Sequence, residues 1–183
     1  IMLLPYAAGI AAGMLARNWG VGIVLFGIGL IVKTVYRYPS GQLVQTTVLD
    51  EMRNPYASPL RGKAVALTGA PVGRGVPGYV FGEDLMFQDK TGLIFMDYHS
   101  VFSFFGNIFF ALKKVKKLLG QQAAASGWFY RSIASALVLQ RMEIQGQKPI
   151  KSYRRAWSFV WAVLLIAIGG LVAFAQAKAT SSL

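Results

Sequence analysis

The chain has no cysteine, one histidine and only seven acidic residues in 183. The side chains that most often carry chemistry are therefore nearly absent. A lone histidine, His99, with no cysteine and no second histidine cannot build a zinc site, which needs three or four ligands. The lack of cysteine does not assign a redox compartment, because a cysteine-free chain suits either. Negative charge is scarce: 19 Lys and Arg against seven Asp and Glu leave a net charge of +12. All seven carboxylates lie between residues 50 and 143.

Apolar side chains are what the sequence has in surplus. A hydrophobic content of 55% and a mean hydropathy of +0.47 exceed what a core of this size needs, and the excess sits in blocks. Residues 156–175 (AWSFVWAVLLIAIGGLVAFA) form a run of twenty without a charge. At 1.5 Å per residue such a helix crosses a hydrocarbon layer of about 30 Å. Trp157 and Trp161 stand at its entrance with Arg154 and Arg155 just before them, a composition that suits the headgroup zone and makes both arginines candidate lipid contacts.

The N-terminal block divides at Arg17-Asn18-Trp19-Gly20 into apolar segments of about 1–16 and 20–36, which predicts a transmembrane hairpin over residues 1–37. Gly9 and Gly13, four apart with Ala8 and Ala12 beside them, give a small-xxx-small face that lets helix backbones approach closely in lipid. Gly169 and Gly170 offer a similar surface, so these four glycines are the candidate helix-packing positions. A secretory signal peptide is the alternative for the first sixteen residues, but a basic n-region is missing and a second apolar segment follows at once. A start at Ile inside an apolar run points to a fragment, a processed product or an incompletely assigned start. Lys33, Arg37, Lys148, Lys151, Arg154 and Arg155 flank the middle of the chain, against Arg17 in the turn and Lys178 in the tail of residues 176–183. By the positive-inside rule this expects residues 38–155 in the cytoplasm, at a bacterial inner membrane.

Residues 38–60 are rich in Pro, Ser, Gln, Thr and Asn and read as a linker with at most one helical turn. Between residues 61 and 146 the pattern changes to short β-like runs at 63–68, 78–81, 85–88, 92–98, 123–130 and 136–144. Asp89-Lys90-Thr91-Gly92 separates two of them and predicts a tight hairpin over 85–98, with Gly92 free to take positive φ. Alternation over 136–144 is imperfect, as for a strand covered partly on both faces. Residues 101–119 switch to helical period, with Val101, Phe104, Phe105, Ile108 and Leu112 on one side and lysines near the end; Gly120 would close that helix. Short strands with a helix after the third β-region and a final pair have the order of a small OB-type barrel. The expected fold class is thus a membrane α+β protein, with transmembrane helices flanking an OB-like β-barrel that carries one amphipathic helix. Residues 147–155 are its basic juxtamembrane segment.

Three stretches together are informative: "NPYASPLRGKAVALTGAPVGRGVPGYVFGEDLMFQDKTGLIFMDY", "GQQAAASGWFYR" and "VLQRMEI". With the preceding "IMLLPYAAGIAAG" and "RYP", they resemble the non-catalytic C-terminal region of some long HtpX-like membrane zinc metalloproteases. The resemblance implies a membrane-integrated accessory part of a protease of membrane-protein quality control. Those proteases need an HExxH helix and a further zinc ligand, neither of which this sequence contains, so no catalytic residue carries over. A looser likeness links the chain to the GIDE domains of membrane ubiquitin ligases; without cysteine it has no RING.

Local motifs add little chemistry. Gly73-Arg74-Gly75-Val76-Pro77-Gly78 matches GxGxxG, but a dinucleotide site requires a helix opening at the glycines, whereas Pro77 and β-like sequence follow. Asp97, His99 and Ser100 could be imagined as an enzyme site, yet they read as strand-end residues, and the adjacent pairs Asp50-Glu51 and Glu83-Asp84 point in different directions on a strand. Lys113, Lys114, Lys116 and Lys117 admit three readings: contact with anionic lipid headgroups beside an aromatic helix face, a plain solvated face, or nucleic acid at an OB surface. Proximity to a membrane favours lipid. The expectation is a non-catalytic, membrane-anchored binding or scaffolding module without cofactor or metal, partnered by the bilayer and other transmembrane subunits. A structural subunit of a larger membrane complex is the alternative; an enzyme or a nucleic-acid-binding protein ranks behind both.

Overall fold

The computed structural model describes residues 4–74, 84–100, 118–131 and 135–181. In chain order its elements are α1 (Leu4–Leu15), α2 (Trp19–Arg37), β1 (Val44–Gln45), α3 (Val48–Arg53), β2 (Lys63–Arg74), β3 (Asp84–Gln88), β4 (Leu93–Asp97), β5 (Ala123–Tyr130), β6 (Ala136–Ile144), β7 (Ile150–Lys151) and α4 (Arg154–Ser181). They fall into two compact units, residues 1–37 with 155–183 and residues 38–154.

The first unit is helical. α1 ends because Arg17 adopts φ +48 and the chain folds back, with Asn18 N–H reaching Gly13 O at 3.2 Å and Arg17 N–H reaching Met14 O at 3.2 Å. This is a Schellman closure with arginine at the left-handed position usually held by glycine. Asn18 then starts α2 as its N-cap: its Oδ1 accepts from Gly20 N at 3.0 Å and Val21 N at 3.4 Å. The four residues read as a hairpin turn are thus one helix stop joined directly to one helix start.

α2 and α4 are long and apolar enough to cross a membrane; α1, at 12 residues, spans about 18 Å and falls short of a full hydrocarbon layer. α4 also extends beyond the expected 156–175 at both ends. α2 runs antiparallel to each of its neighbours, its early residues meeting late α1 and late α4. Its C-terminal end and the N-terminal end of α4 therefore lie on the same side of this unit.

The second unit is a closed β-barrel. β2 pairs antiparallel with β3, β3 with β4, β6 with β5 and β5 with β2, and a parallel pairing of β4 with β6 completes the ring of five. That strand order agrees with the expected OB-type barrel. Two short strands flank it, β1 parallel to β2 and β7 antiparallel to β6. Alternate residues of each strand fill the interior: Val65 and Leu67, Leu85 and Phe87, Ile94 and Met96 are all essentially buried.

On β6 the inward set is Leu137 and Leu139, then Met142 and Ile144. The phase changes because Ser126 pairs with Arg141 but Gly127 pairs with Leu139, leaving Gln140 as an extra residue. The irregular alternation of 136–144 thus has two causes, this bulge and the burial of Val138 on the outer face.

Residues 38–60 depart from the expected linker. Val48 is 0% exposed and belongs to the barrel core, β1 extends the sheet, and α3 is fastened at its start by Asp89 and Thr91 of the β3–β4 turn. Gly92 is a second difference, since it is absent from the positive-φ residues. The turn is held instead by Asp89, whose Oδ1 accepts from Thr91 N at 2.6 Å and Gly92 N at 2.8 Å. The run at 78–81 and most of the helix at 101–119 lie outside the described residues; Gly120, expected to close that helix, has φ +75.

Candidate functional site

Three features could carry function: the seams and outer surface of the helical unit, the points where chain enters and leaves the barrel unit, and a cleft on β2.

In the helical unit the contacts are made by backbone and small residues. A Cβ added at Gly9 would meet Phe26 N at 2.9 Å and Gly22 O at 3.1 Å, and one at Gly13 would meet Gly22 Cα at 3.1 Å. Gly169 lies 2.7 Å from Val24 N by the same measure. Gly170 differs, with no atom within 4 Å: one residue on is about 100° around the helix, so it leaves the seam. The partner glycines are Gly20, Gly22 and Gly27 of α2, which the sequence reading did not single out. Gly20 abuts the backbone of Gly169 and Ala173, Gly22 faces α1, and Gly27 faces Ala162 and Ile166. A signal for them exists in Gly20-x-Gly22 and Gly27-x-Gly29, repeated at seven residues and so returning to one helix face.

Large apolar side chains point the other way. Leu171 and Phe174 are each 71% exposed, and Val32, Val35, Trp161, Val163 and Ile168 stand more than half exposed. Only 11% of the most apolar window of α4 is buried. The unit is inside out relative to a water-soluble bundle, with small residues within and large apolar ones outside.

Both ends of the barrel unit are clasped. Tyr38 packs edge-on against Trp128 and Tyr130 with ring centroids 5.0 and 6.2 Å away, and Trp128 Nε1 donates to Pro39 O at 3.0 Å. At the other end Arg154 Nη1 donates to Asp97 Oδ1 at 2.7 Å, Tyr153 N to His99 O at 2.8 Å, and His99 N to Ser152 Oγ at 3.1 Å. Asp97 and Trp128 each pair with Val138, so the two anchor points are two strand spacings apart, about 10 Å.

Asp97, His99 and Ser100, the residues considered for an enzyme site, lie at this second clasp. Asp97 holds Arg154, the His99 backbone is tied to Ser152 and Tyr153, and Ser100 is buried. Among the described residues no group of three His, Cys, Asp or Glu could hold a metal ion. Arg154, proposed from sequence as a lipid contact, is engaged in an ion pair; Arg155 lies over the Phe159 ring at 5.8 Å. Lys113, Lys114, Lys116 and Lys117 lie outside the described residues.

The cleft, of about 480 Å³, opens between Thr46-Thr47, the outer face of β2 around Thr68–Val72, and the β3–β4 turn. Asp89 at its wall is a structural carboxylate: burial pushes its pKa up, but donation from the Thr91 hydroxyl and from the Val48, Thr91 and Gly92 amides outweighs this and holds it below the usual value. Glu51 is likewise structural, buried beneath α3 with Oε1 taking Lys63 Nζ at 2.6 Å and Thr46 Oγ1 at 3.1 Å.

Comparison with protein-family models and with curated proteins finds no match for this chain. Among solved structures it is similar to the hypothetical protein ygiW from E. coli, at 16% identity and a TM-score of 0.37, over 60% of this chain and 96% of that one.

Proposed function

We propose that the protein is a non-catalytic, membrane-anchored module that displays an OB-like barrel at the cytoplasmic face of a bacterial inner membrane and acts there by binding. The observation that carries this reading is the inside-out helical unit. A core helix of a soluble protein is also long and apolar, but it buries its large side chains, whereas α2 and α4 expose theirs and bury glycine. Water would penalise such a surface; a hydrocarbon layer would not.

Two further observations support display of one domain from one side. The C-terminal end of α2 and the N-terminal end of α4 share an end of the helical unit, and the barrel's two anchor points are close on its own sheet. This is the arrangement of a domain inserted between two helices. The excess of Lys and Arg near that end favours the cytoplasm. The resemblance to the accessory region of HtpX-like proteases makes a protease domain the natural partner to be positioned. The outward-facing Gly170 and the apolar surface around it favour a second form of the same reading, a structural subunit packed against other transmembrane helices.

The absence of cysteine allows a direct test. Single cysteines at Tyr56, which is 92% exposed, and at Lys178 report on the two sides. In intact spheroplasts a membrane-impermeant maleimide should label Lys178→Cys and spare Tyr56→Cys until the membrane is opened. Labelling of Tyr56→Cys without permeabilisation, or release of the protein by alkaline carbonate, would refute the reading. Intact mass and N-terminal sequencing of the native polypeptide separate the two forms: an HExxH segment in the same chain carries the protease form.

A further inference from the structure

β2 changes partner along its length. Lys63 to Gly69 pair with β5 and Ala70 to Arg74 with β3. On the edge facing away from β5, β1 pairs with Val65 and Ala66, and Thr46 N donates to Ala66 O at 3.1 Å. Main-chain groups alternate in direction along a strand, so Ala66, Thr68 and Ala70 point to this edge. Pro71 fixes the phase, since its carbonyl points the other way and accepts from Gly120 N at 2.8 Å. The Ala66 position is covered by β1 and Ala70 by Gln88 of β3. Thr68 falls between them, its outward N–H and C=O facing the cleft of about 480 Å³.

The lining separates into committed and available groups. The Thr46 and Thr47 hydroxyls donate to Glu51 and Asp50, and four donors compensate the Asp89 carboxylate. The groups left are the Thr68 main chain, the exposed side-chain amides of Gln88 and Gln122, and the exposed Lys90 ammonium. Gln88 pairs with Ala70 on one side, and Gln122 immediately precedes Ala123, the partner of Gly69, on the other.

We propose that this gap binds the carboxyl-terminal end of an extended peptide. An open strand edge offers a donor and an acceptor on one residue, the pattern that pairs with peptide main chain; glutamine amides match further peptide groups, and an ammonium suits the terminal carboxylate. With Ala66 and Ala70 covered, the open stretch is Leu67 to Gly69, about 10 Å of strand, room for the last two or three residues of an extended chain. No aromatic side chain is among the described lining residues, so nucleobase stacking has no platform there, and one lysine is a poor match for a phosphate. This site is independent of the membrane reading and goes beyond it.

The test uses the full chain in detergent micelles, labelled with nitrogen-15 and titrated with a mixture of acetylated tetrapeptides randomised at all positions. The free-carboxylate mixture should shift the Thr68 amide resonance and those beside it. The amidated mixture should bind at least fivefold more weakly to the same protein, and Lys90→Ala and Gln122→Ala should each weaken the free-carboxylate mixture by a similar factor. Both substitutions are at exposed positions, and an unchanged spectrum elsewhere reports that the barrel remains folded. Equal binding of amidated and free peptides, no shift at Thr68, or the same shifts from inorganic phosphate at equal concentration would overturn the proposal; the last would leave a plain anion site.

Discussion

At the residue scale the hairpin turns on Arg17, a side-chain-bearing residue in the left-handed region at φ +48. That conformation costs a non-glycine residue about 1–2 kcal/mol, while glycine adopts it freely but is more disordered when unfolded. Arg17→Gly should therefore raise the thermal midpoint in detergent, by an amount equivalent to about 0.5–1 kcal/mol. Arginine keeps that position at a cost in strain, a choice the sequence pattern of four turn-like residues did not expose. Asp89 is the second informative residue. Because its folded-state pKa is lowered, its contribution is fully present above the unfolded value of about 3.9 and is lost as pH falls through the lower folded value. Acid unfolding of the wild type should steepen below about pH 4, and Asp89→Asn should be less stable at neutral pH yet show a flatter acid limb. A wild-type profile indifferent to acid in that range would contradict this role.

At the element scale the glycine seam makes two glycines, one on α2 and one on α4, predict opposite outcomes. Gly20→Leu must push α2 off the backbone of Gly169 and Ala173, whereas Gly170→Leu enters open space. The first should lower the detergent melting midpoint by several degrees and speed proteolysis, and the second should leave both near wild type. Thr47 caps α3, accepting from Asp50 N at 3.2 Å. Thr47→Ala should cost about 1 kcal/mol of folding stability, read by denaturant titration. α3 also shows why local composition misled: the polar, proline-bearing stretch around it has the chemistry of a linker. Its docking depends on Val48 entering the core and on Asp89, 41 residues away, meeting its first amide. Nothing within residues 38–60 encodes that meeting.

At the scale of the whole molecule, each unit has its own way of satisfying its side chains. The barrel unit has a closed hydrogen-bonded ring and a continuous core, so residues 38–154 expressed alone should fold and melt cooperatively, with Trp128 giving buried-indole emission. A non-cooperative melt would mean that the barrel depends on the helices. Several parts of this were legible beforehand. Long uncharged runs mark α2 and α4, period-two runs mark β3 and β4 with the turn between them, and the order of β-like segments points to an OB-type barrel. These rest on local periodicity and length, which the chain carries residue by residue.

Composition and period are local quantities, and they alone mark the apolar segments at the two ends, the β-domain between them and the poverty of catalytic groups. Tertiary structure alone decided the parallel closure of β4 onto β6, the capture of the supposed linker, the choice of Gly20, Gly22 and Gly27 as seam partners, and the opening left at Thr68. Each of these depends on which distant surfaces meet and in what register. Each partner's sequence can be compatible with many such meetings; packing and hydrogen-bond satisfaction across the whole chain select one.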